Sequence, residues 1–144
     1  MPSLFNSLEI SATGLSAERL RMNVIASNIA NANTVDPASG QPFKRKAVIL
    51  ESMTDKSFSL NLDDSLKAKG VEVTGIVEDN SLPTVKYEPS NPMADENGFV
   101  KMSNVNVLNE MVDMISASRA YEANVTAIDA TKTMIKKAIS ITNL

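Results

Sequence analysis

Three pairs of adjacent carboxylates, Asp63-Asp64, Glu78-Asp79 and Asp95-Glu96, are the residues whose types could do acid–base or cation chemistry. That chemistry needs groups converging on one atom, whereas neighbours in an extended chain point to opposite faces. Asp95-Glu96-Asn97-Gly98 has the look of a calcium-loop fragment but lacks the alternating oxygen ligands and the closing Glu. All three pairs read as solvated turn residues. The one basic cluster, Lys44-Arg45-Lys46, has the charge to meet a phosphate or an acidic partner, but three cations on a half-exposed strand ordinarily keep an edge soluble. The chain has no His and no Cys, hence no imidazole base, no thiolate nucleophile and no conventional zinc or haem site. No catalytic residue, no metal and no cofactor are expected. With 14 Lys+Arg against 17 Asp+Glu the net charge is −3, which argues against nucleic acid as a partner.

The elements that must carry these residues follow from how the charges are spread. The chain has 144 residues, enough for one domain with a real core. Residues 37–103 hold most of the charges and turn-formers, while 1–36 carry only Glu9, Glu18, Arg19, Arg21 and Asp36. From Asn104 to the end there is no Gly and no Pro. The pattern is helix, turn-rich insertion, helix. The first helix is predicted over Leu4 to Ala32. Alternate steps of four and three give Leu4, Leu8, Ser11, Leu15 and Glu18, then Met22, Ile25, Ile29 and Ala32, a coiled-coil-like seam. Gly14 weakens its middle by about 1 kcal/mol relative to Ala. The last helix is predicted over 104–142, about 58 Å long at 1.5 Å per residue. Its a positions include Met111, Val125 and Ile139 and its d positions Val107, Met114, Tyr121, Ile128 and Ile135, with Leu108 and Ile115 widening the stripe on one side and Ala117 and Ala138 on the other.

The middle reads as short β elements at Phe43–Leu50, Phe58–Leu62, 70–78 and Pro83–Tyr87, punctuated by turn signals such as Pro89-Ser90-Asn91-Pro92 and Asn97-Gly98. These strands are too few and too charged for an independent large sheet. The expected fold is therefore mainly α: long N- and C-terminal helices paired as an antiparallel coiled-coil-like bundle, with a small β-hairpin or β patch inserted between them. Residues 1–35 and 104–144 would form the helical part and 36–103 the β-containing insertion.

Neither helix fills its remaining faces with charge. Ser, Thr, Asn and Ala dominate there, including Asn28, Asn31 and Asn33, whereas a solvated face carries more Lys and Glu. Both helices are thus expected to be partly buried in an assembly, with the seam residues and these asparagines as subunit-packing positions. No stretch is apolar enough to span a bilayer, so direct membrane insertion is not expected. The first 20 residues lack the basic start and unbroken apolar run of a cleaved signal. A soluble coiled-coil adaptor or secretion chaperone is the alternative reading, and an enzyme resting on the acidic pairs a distant third.

The stretch Asn23-Val24-Ile25-Ala26-Ser27-Asn28-Ile29-Ala30-Asn31-Ala32-Asn33-Thr34 resembles the N-terminal signature of the bacterial flagellar rod and hook axial proteins. The following Val35-Asp36-Pro37-Ala38-Ser39, inserted before Gly40, is similar to the proximal-rod variant of that signature. Tyr87–Asp95, Gly98–Met102 and Asn104–Val107 resemble the segment before the last helix, and Glu110-Met111 with Met114–Val125 the C-terminal signature. The resemblance implies a structural subunit of the flagellar basal-body rod that transmits torque from rotor to hook. Its terminal helices would pack with neighbouring subunits around the export channel. The implied partners are other proximal-rod subunits, self-association included, the rotor-ring and export-gate junction below, and the distal rod above. It also implies export by the flagellar type III apparatus, without a cleaved signal, to a rod that spans the periplasm.

If the acidic pairs are only turn residues, replacing Asp63, Asp64, Asp95 and Glu96 together by their amides leaves motility of a complemented strain near the parental level. Swim-plate diameter measures it, and loss of swimming with the protein still present would revive a chemical role.

Overall fold

A computed structural model describes residues 2–35, 40–53 and 69–142. Helix α1 runs Pro2–Asn31, strand β1 Lys46–Ser52, β2 Val71–Glu78, β3 Thr84–Tyr87, β4 Phe99–Met102, and helix α2 Val107–Thr142. With 30 and 36 residues the helices make up about half of the chain. Two long helices with small antiparallel β-hairpins between them are roughly the arrangement expected. The predicted strand Phe58–Leu62 lies outside the described residues.

Local chemistry sets the helix ends. The last carbonyl of α1, on Asn31, accepts from the Thr34 N–H at 3.1 Å and the Thr34 hydroxyl at 3.0 Å, which occupies an orphan acceptor of the last turn. At α2 the side chain of Asn106 accepts from the N–H groups of Leu108 at 3.1 Å and Asn109 at 3.3 Å, an N-cap. The helix therefore begins three residues later than the apolar period suggests, because Asn104 is engaged elsewhere.

The helices run antiparallel. Asn28, near the end of α1, bonds to Glu110, near the start of α2, and a Cβ on Gly14 would stand 3.1 Å from the Asn124 amide. Fourteen residues along α1 thus match fourteen back along α2. At Gly14 the Asn124 side chain occupies the space that a Cβ would crowd, which gives the helix-weakening residue a purpose. On α1 the face toward the rest of the molecule includes Ser11, Ala17, Val24, Ile25, Asn28 and Ala32, all buried.

On α2 the inward face is turned from the expected one. Glu110, Ala117 and Thr131 are buried, and with Asn124 and Ala138 they recur every seven residues. Met114, Tyr121, Ile128 and Ile135 beside them are half-buried. The expected a positions Met111, Val125 and Ile139 face solvent instead, as does Ile115. The d layer is shared between the two readings. Its companion row is the small and polar one, with Asn124 standing at the level of Gly14.

The strands form two separate antiparallel hairpins, β1–β2 and β3–β4. In the first, Lys46 opposes Glu78 and Ser52 opposes Val71, with an irregularity between Ile49 and Leu50. This hairpin lies along α1, with Val71 and Val73 turned inward and Glu72 and Thr74 outward. Its docking point is specific. The buried Gly70 has φ of +127°, and the next N–H, of Val71, donates to the Thr13 hydroxyl at 3.1 Å, while that hydroxyl donates to the Ile10 carbonyl at 2.8 Å. The β3–β4 hairpin packs on neither helix nor on the first hairpin. A Tyr87–Phe99 edge-to-face pair at 5.3 Å ties its strands together.

Gly70 combines a left-handed φ with a position where an added Cβ would overlap the Thr13 hydroxyl. Gly70→Ala is therefore expected to destabilise the protein by about 1–3 kcal/mol, read as a lowered urea midpoint with unchanged slope.

Candidate functional site

Where the two helices and the first hairpin meet, the sequence places polar groups rather than apolar ones. Asn28 is fully buried on α1. Its amide nitrogen donates to the Lys46 carbonyl at 2.8 Å and to Glu110 Oε2 at 2.9 Å, and its oxygen accepts from the Lys46 N–H at 2.9 Å. Glu110 is 1% exposed, and its other oxygen accepts from Arg45 Nε at 2.6 Å. The Arg45 guanidinium also reaches Asp113 at 3.5 Å. A buried carboxylate is tolerated only when paired and hydrogen-bonded, and both of its oxygens are occupied here.

The network continues through the backbone. Asn104 accepts from the Arg45 N–H at 2.7 Å and donates to the Asp79 carbonyl and the Ser81 hydroxyl, both at 2.9 Å. The Asp79 N–H donates to the Arg45 carbonyl at 2.7 Å. The Asp79 carboxylate accepts from the Ser81 N–H at 2.9 Å. Bonds from Ser81 backbone and hydroxyl, aided by Arg45, hold this carboxyl below the usual aspartate range against a small opposing desolvation. A lowered pKa means that the latch contributes fully above the usual value and is lost as pH falls through the lowered one. Likewise, Lys86 first and Asn91 second lower Glu88 on the second hairpin. The arrangement can hold three elements together but presents no converging acid and base. Among the described residues no group of three His, Cys, Asp or Glu could hold a metal ion.

Of the asparagines in the N-terminal motif, Asn28 is the buried one, Asn31 is half-buried and bonds back to the Ser27 carbonyl at 2.9 Å, and Asn33 is exposed. Ile25 is buried and Leu8, Leu15, Met22 and Ile29 half-buried, while Leu4 lies in α1 with its side chain outside the described part. Glu18, on the expected seam, is 15% exposed beside Arg21 at 3.9 Å. Arg45 and Glu110 were not among the packing positions drawn from apolar periodicity, whereas Asn104 fell on its first a position. The signal that would have found them is the charge itself: Arg45 in the basic cluster, and Glu110 on the apolar stripe of α2.

The outward face of α2 is the second feature. Leu108, Met111, Val112 and Ile115 are 73%, 51%, 66% and 54% exposed and form an unbroken apolar stripe over the first turns. Such a stripe on a helix already packed on its other side marks an interaction surface. Further along α2, Val125, Met134, Ile139 and Ile141 are also exposed.

Comparison with known proteins gives a consistent result. A family model described as "Flagella basal body rod protein" matches residues 8–37, and one described as "Flagellar basal body rod FlgEFG protein C-terminal" matches residues 96–141. The chain is 40% identical to the flagellar basal-body rod protein FlgC of Borreliella burgdorferi, over 96% of this chain and 97% of that one. It is 43% identical to FlgC of Bacillus subtilis, over 95% and 97%. With FlgC of Salmonella typhimurium the identity is 38%, over 96% and 98%. The N-terminal match contains Asn28 and the C-terminal one Glu110, so the buried amide and the carboxylate that it meets lie in the two matched segments.

Asn28→Ala removes three hydrogen bonds, one of them to a charge, and is expected to cost on the order of 3 kcal/mol. Arg45→Met leaves the Glu110 carboxylate buried without its cation, at a cost of about 3–5 kcal/mol. Chemical denaturation of the two variants measures both, and losses below about 0.5 kcal/mol would mean that the network is solvated.

Proposed function

The chain belongs to the FlgC family of flagellar basal-body rod proteins, and from that premise we propose how this subunit serves the rod. It is a structural component of the flagellar basal body, associated with other rod components, and not an enzyme. Its work is mechanical. The paired helices form a coiled-coil-like rod-core domain, residues 1–35 with 104–144, and residues 36–103 a β-containing insertion borne on it. In this role the subunit passes torque from the rotor toward the hook. Its helices line the export channel of a rod that crosses the periplasm, which the chain reaches through the flagellar export apparatus. Neighbouring proximal-rod subunits, copies of itself among them, flank it, with the rotor-ring and export-gate junction below and the distal rod above.

The observation that carries this reading is the outward stripe of Leu108, Met111, Val112 and Ile115 on α2. A helix whose inner face already packs on α1 gains nothing within one copy from four more large apolar residues. Covering them removes apolar area from water at roughly 25 cal/mol per Å², which favours an assembled state. Met111, Ile115, Val125 and Ile139 thus pack between subunits. The half-buried Leu8, Leu15, Met22, Ile29, Met114, Tyr121, Ile128 and Ile135 stand at the margin between the two helices and those neighbours. No helix among the described residues is long and apolar enough to cross a membrane, which fits a role beside other proteins.

The test separates folding from assembly. Met111→Glu with Ile115→Glu changes only exposed side chains and is expected to shift monomer stability by no more than about 0.5 kcal/mol. Rod completion and motility should nevertheless be lost. Deleting 1–30 or 115–144 should abolish both as well. Normal motility with the double glutamate variant, or with either deletion, would overturn the proposal.

A further inference from the structure

The buried polar network does something that its cost in desolvation hides. On the face of α2 toward α1, one row repeats at seven-residue intervals: Glu110, Ala117, Asn124, Thr131, Ala138. All but the first are small. Gly14 of α1 faces Asn124 in the observed pairing. A slip of one heptad would set it against Thr131 instead, a side chain of similar size. The half-buried layer beside this row offers Met114, Ile128 and Ile135, close to one another in volume, with Tyr121 the larger exception. Steric fit therefore distinguishes the observed pairing only weakly from its neighbour one heptad away.

The polar groups distinguish it strongly. Asn28 is bound to β1 through both backbone groups of Lys46, and β1 continues the hairpin that is docked at Thr13. Arg45 consequently travels with α1. Glu110 and Asn104 belong to the α2 side and meet Arg45 and Asn28 in one register alone. A slip by seven residues moves α2 by about 10 Å along α1. It would carry the 1%-exposed Glu110 carboxylate away from both partners and set Asn28 against Ala117.

We infer that the Asn28–Glu110–Arg45 cluster is a register lock. It selects one axial alignment of the helix pair, while its Arg45–Glu110 ion pair contributes little net stability over an apolar replacement of the same volume. Buried polar groups in helix pairs act in this way where apolar packing alone is degenerate. The alignment sets the height of the Leu108–Ile115 stripe relative to the hairpins, so the lock would define the spacing that a neighbouring subunit meets.

The absence of native cysteine permits a direct measurement on the full-length chain. Cysteines introduced at the exposed positions Glu9 on α1 and Asn109 on α2 take nitroxide labels, and pulsed electron resonance reads their separation along the pair. The parent should give one distance. The double variant Arg45→Leu, Glu110→Leu, which leaves Asn28 bound to Lys46, should keep the urea midpoint near the parental value; with Asn104→Ala added, a second distance should appear, longer by about 10 Å. A single parental distance, or loss of the folded state, overturns the proposal. A second variant, Glu110→Ala and Asn104→Ala with Ala117→Glu, removes the parental contacts and moves the carboxylate one heptad along α2. It should shift the whole population to the longer distance, and retention of the parental distance or unfolding again overturns the lock. Either failure leaves the rod assignment standing, since the readout concerns one isolated chain.

Discussion

The Glu110 carboxylate, almost completely removed from water, is held on one side by the Arg45 guanidinium and on the other by the Asn28 amide. Each of these three groups comes from a different element: α2, the residue preceding β1, and α1. Without Asn28 the hairpin loses its two-pronged attachment to α1, and without Arg45 a buried charge stands alone. The attachment at Thr13 and Gly70 anchors the other end of the same hairpin. The β1–β2 unit is thus fastened at two points along α1, and α2 is fastened to that unit through Glu110 and Asn104. The described part of the molecule is organised around this junction more than around an apolar core, whose fully buried members are small: Ala17, Val24, Ile25, Ala32, Val100 and Ala117.

That division of labour suits a subunit of a larger body. Large apolar residues of α2 face outward, and polar residues face inward, where they hold the elements of one chain together. In an isolated globular protein the reverse would hold. A rod under torque needs subunits with one geometry, and directional hydrogen bonds confer that more sharply than apolar contact does. The β3–β4 hairpin, which packs on no other named element, leaves Val85, Tyr87 and Phe99 exposed.

Much of this was legible in the residues, and the exceptions share a cause. The two helices, their approximate ends, and the strands near 46–52, 71–78 and 84–87 follow from apolar period and turn chemistry. Strand β4 was not picked out as a strand, since Phe99–Met102 is four residues long and becomes a strand only by pairing with Thr84–Tyr87. The inward face of α2 was placed one position away from the true one. Apolar periodicity finds where the oil lies, and on this helix part of the oil is exposed rather than packed on α1. Met111, Val125 and Ile139 therefore drew the seam toward themselves and away from Glu110, Asn124 and Thr131. Arg45 was visible as part of a basic cluster and was read as a solubilising charge, because nothing local to it reveals a carboxylate 65 residues away.

The sequence by itself determined the order of elements and the family likeness carried by the asparagine-rich and C-terminal motifs. These depend on residue type and on neighbours within a few turns of the chain. Only the tertiary structure decided which face of α2 meets α1, why Gly14 is tolerated mid-helix, and which charges are buried together. Those outcomes depend on contacts between residues far apart in sequence, where the burial of one carboxylate and the packing of the Asn124 side chain on Gly14 outweigh local preference.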